Sequence, residues 1–292
     1  ALEFTNYNPT STAATTPTNG DYEYVLRTDT DTYQGQKVLM EYNRFQNGVA
    51  AYEATSAKTD WFAGLSRGGH TTEHNILTID GELSRSITAY GAKTLGASGG
   101  SGGTRGNILE IKSTGSNAYQ VTTGYGGYIG RATNADTVQN NVLRMSGGTV
   151  GTLYGGYSAG TGTVTANKIY VTGGTVTGDV YGGSAANGAA HDNTVHIDGT
   201  TIGGAVIGGR GSTATNNTVQ LTNAAVGGTV TGGMVGTAAG GTDNTLRVKG
   251  NSTATQMNGF QKFHFDLAGA NTATPMLGIT GTARTWLDWA QL

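Results

Sequence analysis

The chain has 292 residues, of which 50 are glycine and 49 threonine, with no cysteine, three prolines and 12% charged residues. The missing cysteine excludes a disulfide framework, a zinc ribbon and a thiol nucleophile. A net charge of −2 gives no electrostatic footprint for nucleic acid, and no apolar run reaches the roughly 18 residues of a membrane span.

The chain opens on Ala1-Leu2-Glu3-Phe4 without a signal peptide, which fits a mature exported chain. Residues 1–20, rich in Thr, Ser, Asn and Ala and holding Pro9 and Pro17, read as an extended N-terminal arm. Residues 21–74 are more charged and more aromatic, with Tyr22, Tyr24, Tyr33, Tyr42, Phe45, Tyr52, Trp61 and Phe62. They read as an N-terminal cap followed by degenerate coils.

Residues 75–256 are repetitive. An Asn begins each copy, followed by an apolar-x-apolar run, a Gly-rich corner and a Tyr-Gly-Gly-like triplet. Clear copies are NVLRMSGGTVGTLYGGY from Asn141, NKIYVTGGTVTGDVYGGS from Asn167, NTVHIDGTTIGGAVIGGR from Asn193 and NTVQLTNAAVGGTVTGGM from Asn217. Asn75, Asn107 and Asn244 anchor looser ones. The first run alternates with period two, which predicts inward pairs Leu77/Ile79, Leu109/Ile111, Leu143/Met145, Ile169/Val171, Val195/Ile197, Val219/Leu221 and Leu246/Val248. Such a unit cannot bury its own apolar face but can when stacked on its neighbours, which predicts an all-β single-stranded parallel β-helix, or β-solenoid. The stretches Ser184–Asp192 and Gly211–Asn216 read as variable loops at one corner. Gly suits the corners because it accepts positive φ. The anchoring Asn column has two readings that both fit: a ladder of amide hydrogen bonds, or simple tolerance of a left-handed turn.

Residues 257–292 gather Phe260, Phe263, Phe265, Trp286 and Trp289 and read as C-terminal cap coils. Aromatic-rich caps at both ends would close the stack. The final TARTWLDWAQL suits a helix or a strand.

Several patterns could carry chemistry, and each lacks its context. His70-Thr71-Thr72-Glu73-His74 matches H-x-x-E-H, but zinc chemistry needs a helix and a further ligand, and the pattern runs into a strand. G-x-S-x-G around Ser66, Ser98 and Ser158 is expected by chance in so glycine-rich a chain and lacks the strand-turn-helix of a nucleophile elbow. Asp29-Thr30-Asp31 and Gly240-Gly241-Thr242-Asp243 echo calcium sites incompletely. No enzyme, metal site or cofactor is expected. Tyr90, Tyr125, Tyr154 and Tyr181 share one position before Gly, with Tyr128 and Tyr157 three residues after Tyr125 and Tyr154. Since Leu153 and Val180 should point inward, these rings should form an outward ladder, continued by Ile207 and Thr231. It serves either as a stabilising stack or as a contact stripe for a glycan or protein partner.

The GGTV-x-G-x-VYGG coils over Asn141–Leu267, with the run Asn258-Gly-Phe-Gln-Lys-Phe-His-Phe-Asp-Leu267, resemble the passenger domains of bacterial type V autotransporters. The resemblance implies a right-handed parallel β-helix exported to the cell surface and used for adhesion, autoaggregation or biofilm formation. Partners would be a host or bacterial surface protein or glycan, or copies of the chain itself. No nucleic acid and no span of the membrane are expected. The barrel that follows such passengers is not within these residues, which implies an excised passenger or a free-standing secreted solenoid. The alternative function is a structural subunit that stacks end to end into a filament or surface layer through its caps and arm.

Overall fold

The computed structural model describes residues 44–46, 60–66, 71–83, 85–95, 102–116, 118–268 and 273–282. The arm at 1–20, His70, Ser98, the Asp29 pair, Trp286, Trp289 and most of 21–59 lie outside the described residues. The chain is an all-β, parallel β-solenoid of about eight turns, and no helix occurs among the described residues.

Each turn contributes to three faces. Among the described residues the first face has nine strands, seven of them following an anchoring Asn: Arg44–Gln46, Ile76–Asp80, Ile108–Ser113, Val142–Met145, Lys168–Val171, Thr194–Asp198, Thr218–Thr222, Thr245–Lys249 and Lys262–Asp266. The period-two pattern sets their register. Leu77, Leu109, Leu143, Ile169, Val195, Val219 and Leu246 lie one above another, each at most 1% exposed. The second face adds two further inward columns, such as Val150–Val176–Ile202–Val226 and Leu153–Val180–Val206–Val230–Met257. One coil thus supplies four core residues, as Val195, Ile197, Ile202 and Val206 do. No coil is stable alone, because these groups leave water only against the coils above and below.

Two features were not visible in the pattern. The third face consists, among the described residues, of two-residue strands just before six of the seven anchors, including Val138–Gln139, Val164–Thr165, Ala190–His191 and Ala214–Thr215. Part of each stretch read as a loop is therefore paired. So short a strand has one inward residue and shows no alternation; Val138 and Val164 cover a second small core with Ile129 and Ala185. The only antiparallel pairing among the described strands is Met234–Val235 with Ala238–Ala239.

Each coil also turns through two left-handed residues. One column closes the first face: Gly115, Gly148, Gly174, Gly199, Asn223 and Gly250, with φ between 47° and 82°. The other precedes the anchoring Asn: His74, Gly106, Asn140, Ala166, Asp192, Asn216 and Asp243, with φ between 54° and 67°. The left-handed turn therefore belongs to the residue before each anchor and not to the anchor.

Candidate functional site

The anchoring asparagines form one continuous buried column. Each side-chain Nδ2 donates to Oδ1 of the next: Asn75 to Asn107 at 2.8 Å, Asn107 to Asn141 at 2.9 Å, Asn141 to Asn167 at 3.0 Å, then Asn167 to Asn193, Asn193 to Asn217 and Asn217 to Asn244 at 3.1 Å. Each Oδ1 also accepts the main-chain N–H of the preceding anchor, as Asn193 does from Asn167 at 3.1 Å. The second Nδ2 proton of Asn193 goes to the Val164 carbonyl at 3.0 Å. Gln261 ends the column by accepting the Asn244 N–H at 3.0 Å. An amide offers two donors and two acceptor sites, so the inner rungs are fully satisfied.

This column explains the Gly-Gly of the repeat. The glycines after Tyr154, Tyr181 and Ile207 do not have positive φ; the demand is for space. A Cβ on Gly156, Gly183 or Gly209 would sit 2.5–2.6 Å from Nδ2 of Asn167, Asn193 or Asn217. A Cβ on the preceding Gly would meet the carbonyl of the coil above, as Gly208 would meet Gly232 O at 2.5 Å. Asn and Gly-Gly are therefore one packing unit split across the sequence.

The tyrosines flank that Gly-Gly on the outer surface. Tyr90, Tyr125, Tyr154 and Tyr181 stack in one column at 5.1, 5.0 and 4.8 Å between centroids, within 9° of parallel. Tyr128 and Tyr157 form a second column at 5.3 Å. The columns meet edge to face, with Tyr125–Tyr128 at 4.9 Å and Tyr154–Tyr157 at 5.5 Å. Three residues of straight strand span about 10 Å, so these side chains converge across a re-entrant bend and line a groove along the solenoid. Outward residues along it are accordingly buried: Tyr90 is 6%, Ser184 7%, Ile207 3% and Thr231 5% exposed.

Stacking has a consequence for recognition. The ring faces cover one another, so the strip presents mainly phenol edges and hydroxyls. Burial, reinforced by the neighbouring phenols, pushes the Tyr154 hydroxyl up to about 12. Tyr90, Tyr125, Tyr128 and Tyr181 are raised by the same main cause. The Tyr181 hydroxyl donates to Asp179 Oδ2 at 3.1 Å, while Asp179 Oδ1 accepts the Ala205 N–H at 2.8 Å. Lys93 caps the other end, 4.4 Å from the Tyr90 centroid and paired with Asp60.

The remaining motifs fall into structural positions. Glu73 lies on a two-residue strand and pairs with Arg105 at 2.6 Å, and His74 is an exposed turn residue. Ser66 and Ser158 are buried on strands. Asp243 sits at a left-handed turn and pairs with Lys262 at 2.8 Å. Among the described residues no group of three His, Cys, Asp or Glu could hold a metal, and no helix is long and apolar enough to cross a membrane.

Sequence reasoning passed over Ser184 and Arg210. The signal was present in the residue that follows Gly-Gly: Tyr128, Tyr157, Ser184, Arg210 and Met234 occupy one register position.

Comparison with protein-family models, curated proteins and solved structures finds no match.

Proposed function

We propose that the chain is a non-enzymatic, extracellular or cell-surface solenoid that mediates adhesion, autoaggregation or biofilm formation through its tyrosine-lined groove. One observation carries the reading: the fold does not require tyrosine at these positions. The column Tyr90, Tyr125, Tyr154, Tyr181 continues as Ile207 and Thr231 in unbroken register. Six tyrosines gathered on one strip are therefore a choice about surface, and phenol hydroxyls on a rigid frame suit contact with a glycan or a protein. The resemblance to autotransporter passengers in the GGTV-x-G-x-VYGG coils supports the same reading and the same location.

Beads coated with the protein and presented to bacterial and host cells test it. Adherence should fall with Tyr154→Ala and Tyr181→Ala while far-UV circular dichroism stays unchanged. Unchanged adherence of folded variants would leave the rings as scaffolding and defeat the proposal.

A second reading, end-to-end stacking into filaments, is favoured by the last turns. Phe265 is 47%, Leu267 71% and Ile279 37% exposed, and Lys262–Asp266 is the last strand of the first face among the described residues. Electron microscopy separates the two, since uniform short rods count against the filament.

A further inference from the structure

The second tyrosine column is interrupted. In register it runs Lys93, Tyr128, Tyr157, Ser184, Arg210. Tyr157 is covered on one side by Tyr128 at 5.3 Å, but on the other side the next rung is a serine. The backbones of Tyr157 and Arg210 stand two coil steps apart, about 9.6 Å, with Ser184 as the floor between them. The resulting cavity is about 150 Å³, lined by Tyr157, Ser184, Ala185, Arg210 and Gly236 among others. A space of about that size holds one six-membered ring. A ring placed over Ser184 would lie about 4.8 Å from the Tyr157 ring, close to the 4.8–5.3 Å spacing of the tyrosines themselves, with the Arg210 guanidinium beside it.

The polar groups indicate what kind of ring. Arg210 Nε donates to the Gly236 carbonyl at 3.1 Å and its guanidinium also donates to the Tyr181 hydroxyl, which together hold the side chain in place. No carboxylate among the described residues pairs with its guanidinium. The nearby Asp179 is already engaged by Tyr181 and Ala205. The slot therefore offers one aromatic face, a hydroxyl floor and a positioned cation. A pyranose with a carboxylate matches all three, through its apolar face, its hydroxyl edge and its charge. The cavity opens at the surface, so the ring can belong to a longer chain.

We propose that this missing rung is a binding slot for one carboxylate-bearing sugar ring, the acidic residue of a polysaccharide. The proposal rests on the adhesion reading and names the ligand class for one part of that face.

Calorimetric titration with trigalacturonate, its methyl ester and benzoate tests it. Trigalacturonate binds, and the ester binds about tenfold or more weakly because the charge-assisted contact to Arg210 is gone. Arg210→Gln weakens the acid by a similar factor and leaves the ester unchanged. Ser184→Tyr fills the slot and removes binding without lowering the melting temperature, whereas Ser184→Ala retains it. The slot is overturned if trigalacturonate does not bind, if the ester binds as well as the acid, if Ser184→Tyr binds like the parent, or if benzoate binds in place of the sugar. Any of these with adherence still lost in Tyr154→Ala removes the slot alone. Adherence insensitive to Tyr154→Ala and Tyr181→Ala removes the adhesion reading itself.

Discussion

If Asn193 and Gly183 are one packing unit, their substitutions must be coupled. Asn193→Ala removes the acceptor of both the Asn167 N–H and an Asn167 Nδ2 proton, each at 3.1 Å. Asn167 is fully buried, so two donors are stranded out of reach of water. At about 1–3 kcal/mol for each unsatisfied buried group, the single change costs about 2–6 kcal/mol. Gly183→Ala places a Cβ 2.5 Å from Nδ2 and 2.6 Å from Cγ of Asn193, an overlap that costs about 1–3 kcal/mol. All three nearest atoms belong to the Asn193 amide group. Asn193→Ala deletes them, so the methyl of the second substitution enters the vacated space. The double variant should be more stable than the sum of the singles by about 1–3 kcal/mol. Urea unfolding followed by circular dichroism reads the four free energies. Because coils couple only to their neighbours, hydrogen exchange of the Val195 and Val219 amides gives a local check. Additivity within about 0.5 kcal/mol would refute the claim that Gly183 exists to accommodate the amide column.

Ala166 holds φ at +54° where other coils use Gly106, Asn140 and Asn216; Ala166→Gly should stabilise by about 0.5–1 kcal/mol, read as a raised melting temperature. The Arg144–Glu110 pair, 3.8 Å apart with Arg144 half exposed, should matter little, and Glu110→Gln should shift stability by less than about 1 kcal/mol in a urea melt. Tyr125 touches four other rings, so Tyr125→Ala should destabilise by about 2–4 kcal/mol, more than Tyr181→Ala, which removes one stacked pair. The groove phenols are raised above their ordinary value, Tyr154 to about 12; the fold favours their neutral form, so this stabilisation is full below pH of about 10 and is lost as pH rises through about 12. Absorbance at 295 nm should show late tyrosinate formation that coincides with unfolding.

The stacking register was legible because each first-face strand shows two inward residues flanking one outward residue, as Val195-His196-Ile197 does. A strand such as Ala190–His191 offers a single inward side chain, so the third face was indistinguishable from loop. The left-handed column before each anchor was hidden by its chemistry: His74, Ala166 and Asp192 share a backbone conformation but no side-chain property. The Gly-Gly pairs were recognised, yet for φ instead of space, since a contact with Asn193 arriving ten residues later cannot be read locally. Outward-facing tyrosines followed from the inward Leu153 and Val180. Their convergence did not, because the bend between Tyr154 and Tyr157 breaks the alternation on which the inference relied.

The fold places its strict demands on few positions per coil: the Asn, the Gly-Gly, four apolar residues and two left-handed corners. The residues on either side of Gly-Gly escape all of them, which is why one register column accommodates Lys93, Tyr157, Ser184, Arg210 and Met234. Amide hydrogen bonds and core contacts hold the coils in register whatever these side chains are. The groove can therefore change its chemistry rung by rung without altering the spacing at which it presents that chemistry. A wall that stays fixed while its lining varies is preorganised for recognition, since little ordering is left to offset binding. The interruption at Ser184 is then informative: the backbone there would carry another tyrosine, and the coil instead presents an open space with a cation across from a ring.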